Sequence, residues 1–219
     1  MTSPLLTLPG VYAPQHDTQL LAAELDREPL APGAEVLDIG TGSGAVALAA
    51  AGRGARVTAV DISWRAVFTA RLNARLARLP LRVLRGDLLA PVAGRTFDLV
   101  LANPPYVPAP SSRLPSRGPS RAWDAGRDGR LVLDRICHGA PALLRPGGRL
   151  LLVHSALSDP DRTLELLRGH GLHASLIRRR WVPFGPVLIE RQPWLLEQEL
   201  LEPEQTREGL VVIRAARAH

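Results

Sequence analysis

The stretch EVLDIGTGSG, residues 35–44, contains the strongest structural signal in the sequence. A short apolar strand pattern runs into three glycines at alternating positions, Gly40, Gly42 and Gly44, and the small-residue run that follows predicts a helix. Glycine lets the backbone pass close to a ligand, and the first turn of a helix offers N–H groups that have no partner inside the helix. The stretch therefore predicts a strand, a ligand-binding turn and a helix in direct succession.

Strand and helix patterns alternate from about residue 34 onward, which is typical of a doubly wound α/β fold with a parallel sheet. The sequence predicts seven strands, within segments 35–39, 56–61, 81–87, 97–103, 145–155, 173–184 and 210–217. Besides the helix after residue 44, it predicts helices at about 63–79, from about 128, and within 161–171.

The segment DTQLLAAEL, residues 17–25, predicts an amphipathic helix with Asp17 or Thr18 as its N-cap. An aromatic and proline-containing segment at 11–16 precedes it, which an ordinary N-terminal helix does not need. The segment 107–121 contains four prolines and predicts a mobile loop.

Acidic residues stand at or near the ends of the first three predicted strands. Asp38 lies two residues before the first glycine of the turn, where a carboxylate suits a ligand with a positive amino group better than it suits a pyrophosphate. Asp61 ends the second strand and could accept both hydroxyls of a ribose. Asp87 ends the third, with Leu88 behind it, and this pair could meet the amino group and flat face of an adenine. Ligands of open α/β sheets bind at these strand ends, so we expect the three acids to share one site.

The fourth predicted strand ends in Asn-Pro-Pro-Tyr, residues 103–106. Two prolines fix the backbone and remove two N–H donors, so the carbonyls there are free to accept hydrogen bonds from another molecule. Asn103 adds a side-chain carbonyl, and Tyr106 adds a flat ring. Together they predict a site for an NH₂ group on a planar amide or base.

With these motifs the chain resembles the class I S-adenosylmethionine-dependent methyltransferases, and within them the HemK-type protein glutamine methyltransferases of the eukaryotic and archaeal release-factor branch. The resemblance covers about residues 10–155. It is carried by VYAPQHDTQLL, DIGTGSG, NPPYV and AWDAGRDGRLVLDR, at residues 11–21, 38–44, 103–107 and 122–135.

The resemblance implies a single methyltransferase domain over 1–219, with an N-terminal helical cap at 1–33, a cofactor-binding core at 34–180, and a variable insertion and last strand at 181–219. It implies a Rossmann-like, seven-stranded sheet with helices on both faces. The cofactor would be S-adenosyl-L-methionine, bound by Thr18, Asp38, Gly40, Gly42, Asp61, Asp87, Leu88 and Asn103. The catalytic residues would be Asn103, Pro104 and Tyr106.

The reaction implied is methylation of a planar NH₂ nitrogen, most readily the side-chain amide of an exposed glutamine in a protein such as a release factor with a Gly-Gly-Gln motif. One alternative is adenine N6 or the amine of a small molecule as the acceptor. A second alternative is a regulatory protein that binds S-adenosylmethionine without catalysis. The intact Asn-Pro-Pro-Tyr sequence disfavours that second alternative.

The segment 182–205 departs from the family, whose members proceed quickly from the sixth strand to the last. It brings Trp194 and several acids, and it could reshape the mouth of the site or bind another partner. The methyl acceptor and the identity of any partner protein therefore stay open at this point.

Composition limits the other functional classes. The 27 basic residues are all arginine, the net charge is +6, and the arginines are scattered, which favours a general basic face over a dedicated nucleic-acid site. Arg127 and Arg130 could position an acidic group near the site. The single Cys137 and the six dispersed histidines predict no metal site, and the N-terminus predicts a cytoplasmic protein with no membrane association.

Overall fold

The computed structural model describes residues 5–218. One sheet contains seven strands in the order β3-β2-β1-β4-β5-β7-β6. The strands are β1 (Glu35–Ile39), β2 (Arg56–Asp61), β3 (Leu81–Arg85), β4 (Phe97–Ala102), β5 (Leu144–Ser155), β6 (Leu172–Pro183) and β7 (Arg207–Arg217). The helices are α1 (His16–Arg27), α2 (Ala45–Gly52), α3 (Trp64–Ala77), α4 (Leu133–Gly139), α5 (Pro160–Gly169) and α6 (Pro186–Glu197).

The first five strands pair in parallel, as the alternation of strands and helices predicts. The prediction of a parallel sheet is wrong for β7, which runs antiparallel to both β5 and β6 and lies between them. The chain turns back after β6 through α6, and the returning strand fills the place beside β5. The sheet is therefore mixed, with its parallel half formed by β1 to β5.

Strands β1, β4 and β5 lie at the centre of the sheet and supply most of its buried apolar side chains. In β4, for example, Leu99, Val100, Leu101 and Ala102 are fully buried. Parallel strands covered on both faces need continuous apolar runs rather than alternation, which explains why these segments are readable in the sequence. Their carboxyl ends meet at one edge of the sheet, where the site lies.

Helix α1 begins at His16, with Gln15 at the N-cap and no side-chain cap. The prediction that Asp17 or Thr18 caps this helix is therefore wrong. Asp17 lies in the first turn and is 3% exposed, because its carboxylate accepts hydrogen bonds from two tyrosine hydroxyls that come from outside the helix.

Helix α4 begins at Leu133, five residues later than the predicted start near Asp128. The intervening residues form a turn in which Gly129 has a φ of +71°. A Cβ atom at Gly129 would overlap the carbonyl oxygen of Tyr106 and the hydroxyl of Ser158. The turn is thus packed directly beneath the Asn-Pro-Pro-Tyr segment, and a helix could not occupy the same place.

The segment 182–205 contains the end of β6 and the whole of α6. The proposed boundary between the core and the variable segment, at residues 180 and 181, falls inside β6. Among the helices of residues 5–218, none combines the length and apolar character that a bilayer-spanning helix requires.

Candidate active site

A cavity of about 940 Å³ lies at the carboxyl ends of the parallel strands. Every residue that the sequence assigned to cofactor binding or catalysis lines it, namely Thr18, Asp38, Gly40, Gly42, Asp61, Asp87, Leu88, Asn103, Pro104 and Tyr106. Their individual roles are proposals, but the structure brings all of them to one place. The proline-rich loop also lines this cavity, through residues 114–119.

The glycine-rich turn forms part of the cavity wall. Gly40, Gly42 and Gly44 have φ values of +71°, +55° and +86°, a region that other residues rarely adopt. The backbone N–H of Gly40 donates to the Val60 carbonyl over 2.9 Å, and that of Gly42 donates to Asp61 Oδ2 over 2.9 Å. The end of β2 therefore holds the turn in its left-handed course.

Asp38 is 3% exposed at the end of β1, and the Thr41 hydroxyl donates a hydrogen bond to its Oδ2 over 2.6 Å. Burial is the main cause that raises the pKa of Asp38 to about 6, and the nearby charge of Asp61 adds to it, while the Thr41 hydrogen bond opposes it. A buried carboxylate of this kind is stabilised when a cationic group binds beside it.

Asp61 ends β2 and orders two backbone segments. Its Oδ2 accepts from Gly42, and its Oδ1 accepts from the Ser63 N–H over 2.8 Å. Burial raises the pKa of Asp61, while these backbone hydrogen bonds and the charge of Arg121 oppose the rise. Each carboxylate oxygen has a further lone pair, so the group can still accept two ligand hydroxyls.

Asp87 lies two residues beyond the end of β3, and its Oδ2 is 2.6 Å from Nη2 of Arg135 on α4. Both side chains are about half exposed. Leu88 has a φ of +46°, which is unusual for a branched side chain and costs of order 1–3 kcal/mol. Such conformations cluster at ligand sites, and here the strained residue lines the cavity.

The Asn-Pro-Pro-Tyr segment follows β4 directly. The side-chain Nδ2 of Asn103 donates to the Thr18 hydroxyl over 3.3 Å, which leaves the Oδ1 end of the amide outside this contact. Within residues 5–218, no backbone N–H donates to the Pro104 carbonyl. The Ser158 hydroxyl donates to the Tyr106 carbonyl over 2.6 Å and holds the end of the segment in place.

Tyr12 and Asp17 also line the cavity, and neither was assigned an individual role in binding or catalysis from the sequence. The hydroxyls of Tyr12 and Tyr106 both donate to Asp17 Oδ2, over 2.8 and 3.1 Å. The signal that could have found them is the aromatic and proline-containing segment before α1, because it brings the Tyr12 hydroxyl to Asp17 in the first turn of the helix.

Arg130 does not position an acidic ligand, contrary to the expectation from its place in the sequence. It is 1% exposed, donates to the backbone carbonyls of Ser158 and Asp159, and pairs with Asp134 over 2.8 Å. Arg127 is exposed and does not line the cavity. Both arginines therefore lie outside the site.

Residues 5–218 contain no cluster of three or more His, Cys, Asp or Glu side chains that could hold a metal ion. Cys137 is buried, and burial raises the pKa of its thiol to about 12. The thiol therefore stays protonated at neutral pH and is a poor nucleophile.

Known proteins resemble this chain in sequence and in fold. Residues 3–113 match the methyltransferase small domain. A protein named as a protein N5-glutamine methyltransferase of Methanocaldococcus jannaschii is 34% identical over 182 residues, which are 83% of this chain and 90% of the relative. The release factor glutamine methyltransferase of Moorella thermoacetica is 43% identical over 153 residues, which are 66% of this chain and 54% of the relative.

The chain thus spans nearly the whole archaeal relative but only about half the length of several bacterial ones. Among solved structures, the E. cuniculi Mtq2–Trm112 complex, described as responsible for methylation of the eRF1 translation termination factor, superposes with a TM-score of 0.68. It is 24% identical in sequence, and the match covers 95% of this chain and 99% of that one. This likeness identifies the class I methyltransferase fold. The Methyltransferase HEMK2 of Mus musculus is 36% identical over 174 residues, which are 75% of this chain and 81% of the relative. On these sequence matches, the chain belongs to the methyltransferase small domain family and, within it, to the HemK-type N-methyltransferases.

Proposed function

We propose that this protein transfers a methyl group from S-adenosylmethionine to the side-chain amide nitrogen of a glutamine, presented by a protein loop such as the Gly-Gly-Gln loop of a release factor. The names of the archaeal and bacterial relatives support this substrate. The observation that carries the proposal is the pair of hydrogen-bond acceptors, the Asn103 side chain and the Pro104 carbonyl, on the wall of the cavity.

The size and the chemistry of the cavity support S-adenosylmethionine as the cofactor. Its volume of about 940 Å³ lies within the range of small-molecule sites. Buried Asp38 would receive the cationic amino group, Asp61 the ribose hydroxyls, and Asp87 with Leu88 the adenine. Thr18 and the turn at Gly40 and Gly42 would enclose the rest. When bound, this cofactor supplies an electrophilic methyl group.

An amide nitrogen is a weak nucleophile because its lone pair is delocalised into the carbonyl. Two hydrogen-bond acceptors, each binding one N–H of the amide, would favour a nitrogen whose lone pair is localised and directed at the methyl group. The prolines after Asn103 hold these acceptors in fixed positions, so little reorganisation is needed during the reaction. The ring of Tyr106, 8% exposed, would support the plane of the amide.

A methyl-transfer assay tests the proposal directly. We expect methylation, detected by mass spectrometry, on the glutamine amide of a folded release factor domain that presents Gly-Gly-Gln. The same domain with glutamine replaced by alanine is the matched control. Transfer to adenine in single- or double-stranded DNA, with none to the release factor domain, would instead establish the adenine alternative.

Cofactor binding without transfer to any acceptor would leave only the regulatory alternative. The Asn103→Ala variant separates the two readings, because a pure binding protein has no activity for this substitution to remove. Calorimetry with S-adenosylmethionine measures the binding step independently of the acceptor.

A further inference from the structure

Asp17 is a buried carboxylate that joins two parts of the chain far apart in sequence. Its Oδ2 accepts hydrogen bonds from the hydroxyl of Tyr12, before α1, and from that of Tyr106, after β4. Burial and the charge of Asp17 raise the pKa of both phenols. Both hydroxyls therefore keep their protons at neutral pH and act as donors to Asp17.

The second oxygen of Asp17 begins a chain of hydrogen bonds that ends at Asn103. Asp17 Oδ1 accepts from the Thr18 N–H over 2.5 Å and from the Thr18 hydroxyl over 3.1 Å. The Thr18 hydroxyl in turn accepts from Asn103 Nδ2 over 3.3 Å. A carboxylate can only accept, and a hydroxyl has a single proton to donate.

This series of hydrogen bonds therefore has one direction, from Asn103 through Thr18 to Asp17. Because the Thr18 proton is donated to Asp17, only a lone pair of the hydroxyl faces Asn103, and the side of the Asn103 amide that binds it must be the NH₂ group. The carbonyl Oδ1 of Asn103 then lies on the opposite side of the amide. A reversed amide would require the Thr18 hydroxyl to turn its proton away from Asp17, which would exchange a hydrogen bond to a carboxylate for a weaker one to a neutral amide oxygen.

A second carboxyl group, Glu208 on β7, lies near Asp17 and both tyrosines. It is 7% exposed, and within the described part of the chain its Oε1 has no hydrogen-bond partner. Burial raises the pKa of Glu208 to about 7, with the charge of Asp17 adding to it and the Ser155 hydroxyl opposing it. Glu208 can therefore hold a proton near neutral pH, so that Asp17 need not share the pocket with a second full charge.

We propose that Asp17 is the positioning residue of the acceptor site, the part of the cavity where Asn103, Pro104 and Tyr106 would bind the methyl-accepting amide. Its one carboxylate fixes the ring of Tyr106 directly and fixes the direction of the Asn103 amide through Thr18. The inference rests on the proposed function, since the orientation of Asn103 Oδ1 matters for catalysis only if an N–H of the methyl-accepting amide binds there. Asp17 itself does not have to touch the substrate.

Nuclear magnetic resonance can observe the orientation without any substrate. The chain contains only two asparagines, Asn73 and Asn103, so selective ¹⁵N-asparagine labelling gives two side-chain NH₂ groups, each observed as a pair of signals. Asn73, which donates to the carbonyls of Leu6 and Ser43, is the internal reference. We expect Asp17→Ala and Thr18→Val to move the Asn103 side-chain signals toward the positions of a free amide, with Asn73 unchanged.

Kinetics tests the consequence. We expect Asp17→Ala to lower kcat for the glutamine substrate about ten- to a hundredfold, the effect of losing a charged hydrogen-bond acceptor, with cofactor affinity changed less than threefold. Thr18→Ser keeps the hydroxyl and should retain the Asn103 signals, whereas Thr18→Val should lose them. Asp26→Asn, on the exposed side of the same helix, is the matched control.

Unchanged Asn103 signals in both Asp17→Ala and Thr18→Val would overturn the inference, as would a change in those signals that Thr18→Ser shares with Thr18→Val. If Asp17→Ala does not fold, Thr18→Val alone decides the result. Failure of the wild type to methylate glutamine would contradict the proposed function, but the orientation of Asn103 would still be measured by its resonances.

Discussion

Arg191 of α6 donates a hydrogen bond to Asp124 Oδ1 over 2.5 Å and a second one to the Pro108 carbonyl over 3.0 Å. Both charged side chains are mostly buried, with 18% and 14% exposed. Asp124 also forms a backbone bridge with Val107, the residue after Tyr106. Hydrogen bonds therefore connect α6, the helix of the 182–205 segment, to the loop that follows the Asn-Pro-Pro-Tyr motif.

This contact predicts that Arg191 acts on substrate binding. We expect Arg191→Ala to raise the KM for the protein substrate about tenfold or more, because a lost charged hydrogen bond of about 1.5–3 kcal/mol releases the loop at the cavity mouth. Cofactor affinity should change little. Steady-state kinetics with the release factor domain, alongside the exposed neighbour Glu190→Ala as control, measures the effect. An unchanged KM in a folded Arg191→Ala variant would show that α6 does not affect the binding of the protein substrate.

Asp38 predicts a pH dependence of cofactor binding. Its pKa is about 6 in the free protein, and a bound cation lowers it because the cation favours the carboxylate. Below pH 6 the group must therefore lose a proton on binding, so the affinity should fall, approaching tenfold per pH unit. Calorimetry between pH 5 and 8 measures this.

Asp38→Asn provides the control for that measurement. It should bind more weakly at pH 8 and lose most of the dependence near pH 6. A wild-type affinity that is constant from pH 8 to pH 5 would contradict the placement of the cationic group at Asp38.

Glu208 predicts a pH dependence of stability. Its folded-state pKa of about 7 exceeds the ordinary value of 4.5, so between these pH values the folded state keeps a proton that the unfolded state has lost. The contribution of Glu208 to the unfolding free energy is full below about pH 4.5 and falls as pH rises to about 7, by up to about 3 kcal/mol. Glu208→Gln removes this loss.

Urea unfolding of wild type and Glu208→Gln at pH 5 and pH 8 provides the test. Relative to the wild type, the free energy of unfolding of Glu208→Gln should be higher at pH 8 than at pH 5. Taking the difference cancels His154, whose pKa burial lowers to about 4 and whose contribution has the opposite sign, rising with pH. A difference that does not change with pH would mean that Glu208 titrates normally.

The fold could be predicted from the sequence because its central strands are buried on both faces. Val36, Leu37, Leu99 and Leu151 belong to apolar runs whose burial is the same in any parallel sheet, so local pattern and tertiary environment agree. The antiparallel course of β7 was not predictable in this way, since a short apolar run has no direction until its neighbours are known.

The candidate site divides along the same line. Asp38 and Asp61 lie at the carboxyl ends of β1 and β2, and Asn103 directly follows β4, so the topology alone brings them to one edge of the sheet. Asp17 reads as a helix cap because its partner Tyr106 is 89 residues away and the contact leaves no local pattern. Arg130 was expected to position an acidic group because an arginine buried against backbone carbonyls looks the same in sequence as one that faces a ligand.

Asn103 provides the most direct test of the acceptor mechanism. It follows β4, the prolines after it fix its backbone, and its Nδ2 is held by Thr18. Its Oδ1 is expected to accept a hydrogen bond that strengthens as the substrate nitrogen gains positive charge, so Asn103→Ala should act mainly on the chemical step. Loss of one such preorganised group costs about a hundred- to a thousandfold in kcat. Cofactor affinity, measured by calorimetry, should be largely retained.

Asn103→Asp refines this test because a carboxylate still accepts hydrogen bonds but cannot donate one to Thr18. It should retain more activity than Asn103→Ala and less than the wild type, and single-turnover measurements would assign the loss to the transfer step rather than to product release. A purified Asn103→Ala protein that binds cofactor and methylates glutamine at the wild-type rate would rule out Asn103 as a catalytic hydrogen-bond acceptor. The Pro104 carbonyl would then be left to orient the amide alone, and the selection of a planar NH₂ group would need a different explanation.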